Sequence, residues 1–468
     1  MLLVMKFGGT SVGSAEAIRR ASALILQSRE QWSKVVVVSS AMSGITDQLL
    51  QGATSAASGD STTYRELSSK IRKRHFQVLA ELLSGSSEAQ AITAEIDQFI
   101  DRYESLCRAV LVLGELTPRA LDAMTSIGER LSIRIVAGYL RHLGQAAQAI
   151  DASELLVTDD SFQCAAPLLE QTRIQTEARL GPLLDDGSVA VVTGFIGATE
   201  NGIITTLGRG GSDFSAAILG QVLQAAEVWI WTDVDGIMTA DPRLVSEART
   251  ISRLSYREVA ELAFYGAKVL HPKTIRPVVE NNIPLRIKNT FQPENEGTLI
   301  IEAVSENNGK IKAVTAIRKL SLVNVEGKGM LGVPGIAART FAAVARSQIS
   351  VLLISQASSE QSICFAVPDG ATDHIIEALE GEFADEISRR DIDRIWAQRD
   401  VSIVTVVGAG MRGTPGISGR LFTALGDDVV NIIAIAQGSS ECSISMVVTD
   451  DDTRAAEKSI HNLIIEPW

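Results

Sequence analysis

The sequence predicts an α/β protein in which a mostly parallel sheet is followed by two tandem βαββαβ units, and three observations lead there. Short apolar runs such as Met1–Phe7, Val35–Val38 and Val189–Phe195 alternate with helical stretches, the pattern of strands buried on both faces of a parallel sheet. Glycine-rich or polar segments follow these runs at their carboxyl ends, where open α/β sheets collect ligands. Finally, residues 320–366 align with 401–447 at a constant offset of 81, without a gap and with about 20 identities in 47.

At 468 residues the chain has material for two to four domains. A hydrophobic content of 46% with only 5% aromatics suits an Ala-, Val-, Ile- and Leu-rich α/β protein. The formal charge of −13 speaks against a nucleic-acid partner, which demands clustered Lys and Arg. Cys107, Cys164, Cys364 and Cys442 include no C-x-x-C pair, so neither a zinc site nor a disulfide framework is expected. The apolar start runs straight into a glycine turn, unlike a signal peptide, and no segment approaches the ~20 apolar residues of a membrane span. A cytoplasmic location without a membrane partner is the expectation.

Taken in order, Met1–Phe7 turns at Gly8-Gly9-Thr10-Ser11-Val12-Gly13 into a helix from Ser14, with Ala15, Ile18, Ala21, Leu24 and Ile25 on one face. A strand feeding a glycine turn that opens a helix offers amide N–H groups and a positive dipole end to an anion, and Lys6 adds a full charge. The spacing is not G-x-x-x-x-G-K-[ST], so a P-loop is not indicated. Val35–Val38 ends in Ser39–Thr46, where a serine serves either as a helix cap or in a ligand loop. Residues 61–113 read as helical, and His75 among Lys70, Arg72, Lys73 and Arg74 reads as a solvated face. Thr125–Leu131 opens another helix with Glu129 in its first turn, where an acid complements the dipole.

The second dense cluster follows Val189–Phe195 and Ile203–Leu207. Gly208-Arg209-Gly210-Gly211 with an N-capping Ser212-Asp213 pair forms an anion nest beside a guanidinium, whose two prongs suit a carboxylate. Val228–Trp231 reads as a strand, ending in Thr232-Asp233-Val234-Asp235-Gly236-Ile237 and then Asp241-Pro242-Arg243. Two helices separated near Gly266 span 254–281. Lys268 at the second one's start opposes the dipole, a placement that calls for a nearby anion. Pro284–Asn289 reads as the last strand of the sheet, and Asn295–Thr298 as a domain edge. The boundaries expected are 1–295, 296–395 and 396–468.

In the repeats, Gly327-x-Gly329-Met330-x-Gly332-x-Pro334-Gly335-Ile336 matches Gly408-x-Gly410-Met411-x-Gly413-x-Pro415-Gly416-Ile417, and Gln356-x-Ser358-Ser359-Glu360 matches Gln437-x-Ser439-Ser440-Glu441. Both glycine strings satisfy the G-x-G-x-x-G dinucleotide fingerprint. Each carries a proline two residues beyond it, in a unit too short for a dinucleotide half, so NAD is rejected. Strand, loop, helix, two strands and helix within ~65 residues make the ferredoxin-like pattern.

The string Lys6-Phe7-Gly8-Gly9-Thr10-Ser11 resembles the opening signature of aspartokinases in the amino-acid-kinase family, and the repeats resemble the ACT domains that end them. With Val234-Asp235-Gly236 and the Gln-x-Ser-Ser-Glu motifs, the chain is most similar to the aspartokinase portion of threonine-sensitive bifunctional aspartokinase–homoserine dehydrogenases. Glutamate and acetylglutamate kinases fit less well, given the ACT pair and the opening string. A non-catalytic amino-acid sensor is disfavoured because every expected charged residue is present. The resemblance implies an amino-acid-kinase sheet sandwich and ATP-dependent phosphorylation of the L-aspartate side-chain carboxylate, the first step of lysine, threonine and methionine biosynthesis. Mg2+ would arrive with ATP, and no protein metal ligands are named.

The resemblance also implies roles. Lys6 and Asp213 are catalytic, and Gly8, Gly9, Gly210 and Gly211 hold phosphate. Thr10, Ser40, Thr46, Glu129, Arg209 and Ser212 hold aspartate, with Arg209 on the α-carboxylate and Glu129 on the ammonium. Thr232, Asp233, Met238, Arg243 and Lys268 belong to the nucleotide. An effector, threonine or alternatively lysine, would bind near Gln356 and Gln437. A homodimer or higher oligomer would form through residues 300–468, because tandem sheet edges tend to pair. The acceptor carboxylate is ionised at pH 7 and needs no general base, so positioning and cations must carry the catalysis.

Overall fold

The opening apolar run forms β1 (Leu2–Phe7), buried along nearly its whole length, and Ser14 caps the helix Ala15–Gln31 that follows by accepting from Ala17 N. The structure, a computed structural model, describes residues 1–266, 270, 272–302, 311–357 and 361–465. It divides into two units. The first comprises residues 1–237, 250–256 and 269–304, and the second 238–249, 257–268 and 305–468.

In the first unit the further strands are β2 (Lys34–Ser39), β3 (Ala147–Ile150), β4 (Val157–Thr158), β5 (Val189–Thr193), β6 (Ile196–Thr199), β7 (Ile204–Thr206), β8 (Glu227–Thr232), β9 (Arg253–Ser255), β10 (Leu285–Asn289) and β11 (Thr298–Ile301). Eight of them make one sheet in the order β3-β5-β2-β1-β8-β10-β11-β9. Every neighbouring pair is parallel except β10 with β11. β1 therefore lies between β2 and β8, with Lys6 level with Val38 and Ile230. The carboxyl ends of β1, β2, β5 and β8 consequently open on one edge of the sheet.

Ile204–Thr206 belongs to a separate three-stranded sheet, β4-β6-β7. Three expectations change here. Leu285–Asn289 is not the last strand, since β11 turns back against it and β9 adds beyond. The helix after the second glycine cluster runs Gly211–Val222 and begins at Gly210 in a left-handed conformation, so Ser212 and Asp213 lie in its first turn instead of capping it. His75 is fully buried, its Nδ1 2.7 Å from Ile71 O, and desolvation lowers its pKa to about 4. Helical periodicity puts it on the inner face of the helix Thr63–Leu83, while Arg72, on the same helix, makes ion pairs to Asp97 and Asp101.

The second unit is built on β12 (Ala313–Glu326), β13 (Leu353–Gln356), β14 (Ser362–Pro368), β15 (Arg394–Val407), β16 (Ala434–Gln437) and β17 (Ser443–Thr449), in the sheet order β13-β14-β12-β15-β17-β16. All its pairs are antiparallel. β12 and β15 are each 14 residues long and serve both repeats. The first repeat starts on Leu320–Glu326 and takes its fourth strand from the beginning of β15. The second starts on Val401–Val407, and its fourth strand is Ala313–Ile317, which precedes the first repeat in the chain. Leu320 pairs with Val401, its own counterpart at offset 81, so the two repeats meet about a local two-fold axis.

One face of this sheet is covered by helices in two apolar clusters, around Phe365 and around Met446. On the other, Leu320, Leu322, Val401 and Ile403 cluster with Leu353 and Ala434 from the two edge strands, so the sheet curls on itself. No helix among the described residues is long and apolar enough to cross a membrane.

Candidate active site

In the first unit the loops at the carboxyl ends of β1, β2 and β7 border a cleft of about 520 Å³. Lys6 projects from the penultimate position of β1, is 9% exposed, and places its ammonium 2.7 Å from Asp213 Oδ1. The apolar strand lifts the cation into the cleft and the helix Gly211–Val222 supplies the counter-charge, so the ammonium is held in place before any ligand arrives. Loop 8–13 folds tightly against loop 40–44. Ser43 N donates to Gly9 O, and a Cβ on Gly9 would stand 3.0 Å from Ala41 O, so only glycine passes without displacement. Arg74 clamps both loops by donating to Ser43 O at 2.7 Å and Gly13 O at 3.0 Å. It belongs to the stretch that the sequence presents as a solvated face.

Not every glycine amide is open. Gly8 N donates to Trp231 O and Gly211 N to Gly208 O, whereas Gly9 N and Gly210 N make no backbone hydrogen bond among the described residues. Glu129, in the first turn of the helix Ile127–His142, is 3% exposed and accepts from Ala41 N at 3.2 Å. Its second oxygen has no hydrogen-bond partner among the described residues, and burial pushes its pKa up to about 8. Arg209 is exposed and forms no ion pair among the described residues, so its fork is available to a ligand.

Of the residues singled out in the sequence, Lys6, Gly9, Ser40, Thr46, Glu129, Arg209, Gly210, Gly211, Ser212 and Asp213 all wall this cleft. Gly8 and Thr10 are not part of the lining, and Thr10 is exposed. Thr232 ends β8 and donates to Asp233 Oδ1 at 3.2 Å. Met238 and Arg243 fall in the second unit, where Arg243 is ion-paired with Asp241 at 2.6 Å. Lys268 lies outside the described residues. Gln356 and Gln437 are exposed and end the two edge strands β13 and β16. Sequence reading missed Asp122, Gln163 and Thr206, which also line the cleft. The signal available was a buried polar position, Asp122, on the inner face of an amphipathic helix.

The profile of the amino acid kinase family matches residues 1–289, and that of the ACT domain matches 323–383 and 404–463. A bifunctional aspartokinase/homoserine dehydrogenase 1 of Zea mays is 37% identical, over 99% of this chain and 50% of its own length. The chain thus spans about half the length of the curated bifunctional relatives it matches. The crystal structure of E. coli aspartokinase III in complex with aspartate and ADP superposes with a TM-score of 0.80 at 30% identity, over 100% of both chains. The complex of the same enzyme with lysine and aspartate gives 0.79 at 32%, over 99% of this chain and 100% of that one.

Proposed function

Because the chain belongs to the amino acid kinase family and full-length aspartokinases share its fold, we propose that it is an aspartokinase, transferring the γ-phosphoryl group of ATP to the side-chain carboxylate of L-aspartate. The observation that carries this reading is the charge pattern of the cleft: a pre-held ammonium, an open guanidinium and a buried, half-partnered carboxylate face one space. Aspartate offers the complementary set of two carboxylates and an ammonium.

The chemistry follows from the charges. The nucleophile is already an anion, so the barrier is repulsion between two anions and charge developing on the phosphoryl group. Arg209 grips the α-carboxylate and Glu129 takes the ammonium, while Thr10, Ser40, Thr46 and Ser212 hold the rest. Lys6 neutralises the phosphoryl oxygens in flight, Gly9 and Gly210 offer amides, and Asp213 keeps the ammonium aimed. Gly8 and Gly211 shape the turns. Thr232 and Asp233 serve the nucleotide, and magnesium enters with it to offset phosphate charge.

Regulation belongs to the second unit. Threonine, or alternatively lysine, binds near Gln356 and Gln437, a reading supported by the equivalent ends of β13 and β16 and by the lysine complex of a relative. Homo-oligomers form through residues 300–468, supported by two edge strands that expose Ile354 and Ile435 at equivalent positions. Steady-state kinetics test the catalytic part: ADP release must depend on aspartate, and Arg209→Lys should raise the aspartate KM while leaving the ATP KM nearly unchanged. Turnover indifferent to aspartate would sink the reading.

A further inference from the structure

Asp122 walls the cleft, yet the chemistry above gives it nothing to do. It lies on the helix Pro118–Thr125, 1% exposed. Its Oδ2 accepts from Gln163 N at 2.9 Å and Thr206 N at 3.0 Å, and its Oδ1 accepts from Thr206 Oγ1 at 2.7 Å. It forms no ion pair among the described residues, and burial raises its pKa. A carboxylate taken out of water without a cation is costly, and here three donors from two other segments offset that cost.

Those two segments border Arg209. Thr206 closes β7 three residues before it. Gln163 has a left-handed backbone, with φ of 69°, and its carbonyl oxygen would stand 2.9 Å from a Cβ on Gly208. Asp122 thus ties the strand leading into the Arg209 loop to the segment that packs against the loop's first glycine. We infer that Asp122 is a positioning residue, which holds this loop so that Arg209 meets the α-carboxylate of the substrate in a fixed orientation. The inference rests on the reading of the cleft as an aspartate site. A clamp fixed before binding lowers the ordering cost of the encounter, so its loss should appear in substrate affinity.

The test uses steady-state kinetics on the full chain, with Asp122→Ala, Thr206→Val, Thr206→Ser and Arg209→Ala, and with Thr206→Val combined with Arg209→Ala. Asp122→Ala and Thr206→Val should each raise the aspartate KM by ~10-fold with the ATP KM within ~2-fold, and Thr206→Ser, which keeps the hydroxyl, should restore it. On the Arg209→Ala background Thr206→Val should add less than ~2-fold, because both changes disable one clamp. Should Asp122→Ala fail to fold, the Thr206 series decides alone. An unchanged aspartate KM in Thr206→Val, equal losses for both substrates, or full additivity with Arg209→Ala would overturn the inference while leaving the kinase reading standing. If Arg209→Ala itself leaves the aspartate KM unchanged, the reading of the cleft falls and takes the inference with it.

Discussion

The same local pattern, strand then glycine loop then helix, occurs in both units with opposite consequences. In the first unit the loops after β1 and β7 leave the amides of Gly9 and Gly210 without a backbone partner and bring Lys6 and Arg209 beside them. In the second unit the loops after β12 and β15 already hold carboxylates. Lys328 N donates to Asp393 at 3.2 Å, Ala409 N to Glu258 at 2.7 Å, and Gly413 N to Glu441 at 2.8 Å. Glu258 is itself fully buried and ion-paired with Lys312 at 3.2 Å. A glycine loop is therefore only an anion-tolerant turn. The charges that the rest of the fold sets around it decide whether it stays open to an anionic ligand or already holds a structural carboxylate.

The largest effect should come from removing the cation that separates the two cases. Lys6→Ala should lower kcat by at least ~100-fold, as loss of a transition-state donor does, with a far smaller effect on the aspartate KM. Near-normal turnover would make the first glycine turn as structural as those of the second unit.

A smaller effect, of up to ~10-fold per pH unit, concerns Glu129. Its folded-state pKa of about 8 exceeds the ordinary 4.5, so between those values the folded chain holds a proton that the unfolded chain has released. Its contribution to stability therefore declines as pH rises through that window. An ammonium bound against it favours the ionised form, so aspartate binding releases a proton below pH 8 and the aspartate KM should fall from pH 6 to 8. Glu129→Gln should flatten that profile. A wild-type KM insensitive to pH would detach Glu129 from the ammonium.

The smallest effect sharpens the comparison inside the second unit. Gln356→Ala and Gln437→Ala should each weaken inhibition by threonine or lysine, by ~5-fold or more, without altering uninhibited turnover. Unequal losses would show that the two repeats have diverged in use despite their shared pattern. Inhibition identical in the parent and both variants would remove the effector from these strand ends.

Much of this was legible because it is local. Apolar runs announce β1, β2 and β8, Ser14 and the three-to-four-residue apolar spacing after it announce the first helix, and a repeat of constant offset announces two like units. Lys6, Glu129 and Arg209 could be singled out because each sits at a strand end, a helix start or in a glycine loop, where backbone geometry restricts what a charge can do. The misreadings are of another kind. His75 looked solvated because its chain neighbours are basic, yet helical periodicity turns it inward, while Arg72 pairs with acids of another helix and Arg74 reaches the loops beside the cleft.

By itself the sequence determined the order of elements, the glycine turns, the doubling of the βαββαβ unit and the residue types at the mouth of the cleft, all properties of the backbone over a few turns or strands. Tertiary structure alone decided the partners of Asp122, 41 and 84 residues away, the clamp of Arg74 on two loops, and the completion of the second repeat by Ala313–Ile317. The reason is that a hydrogen-bond acceptor or an open strand edge states a need without naming who meets it. Which donor or strand arrives is settled when the whole chain packs, because only then does burial make the unmet need costly.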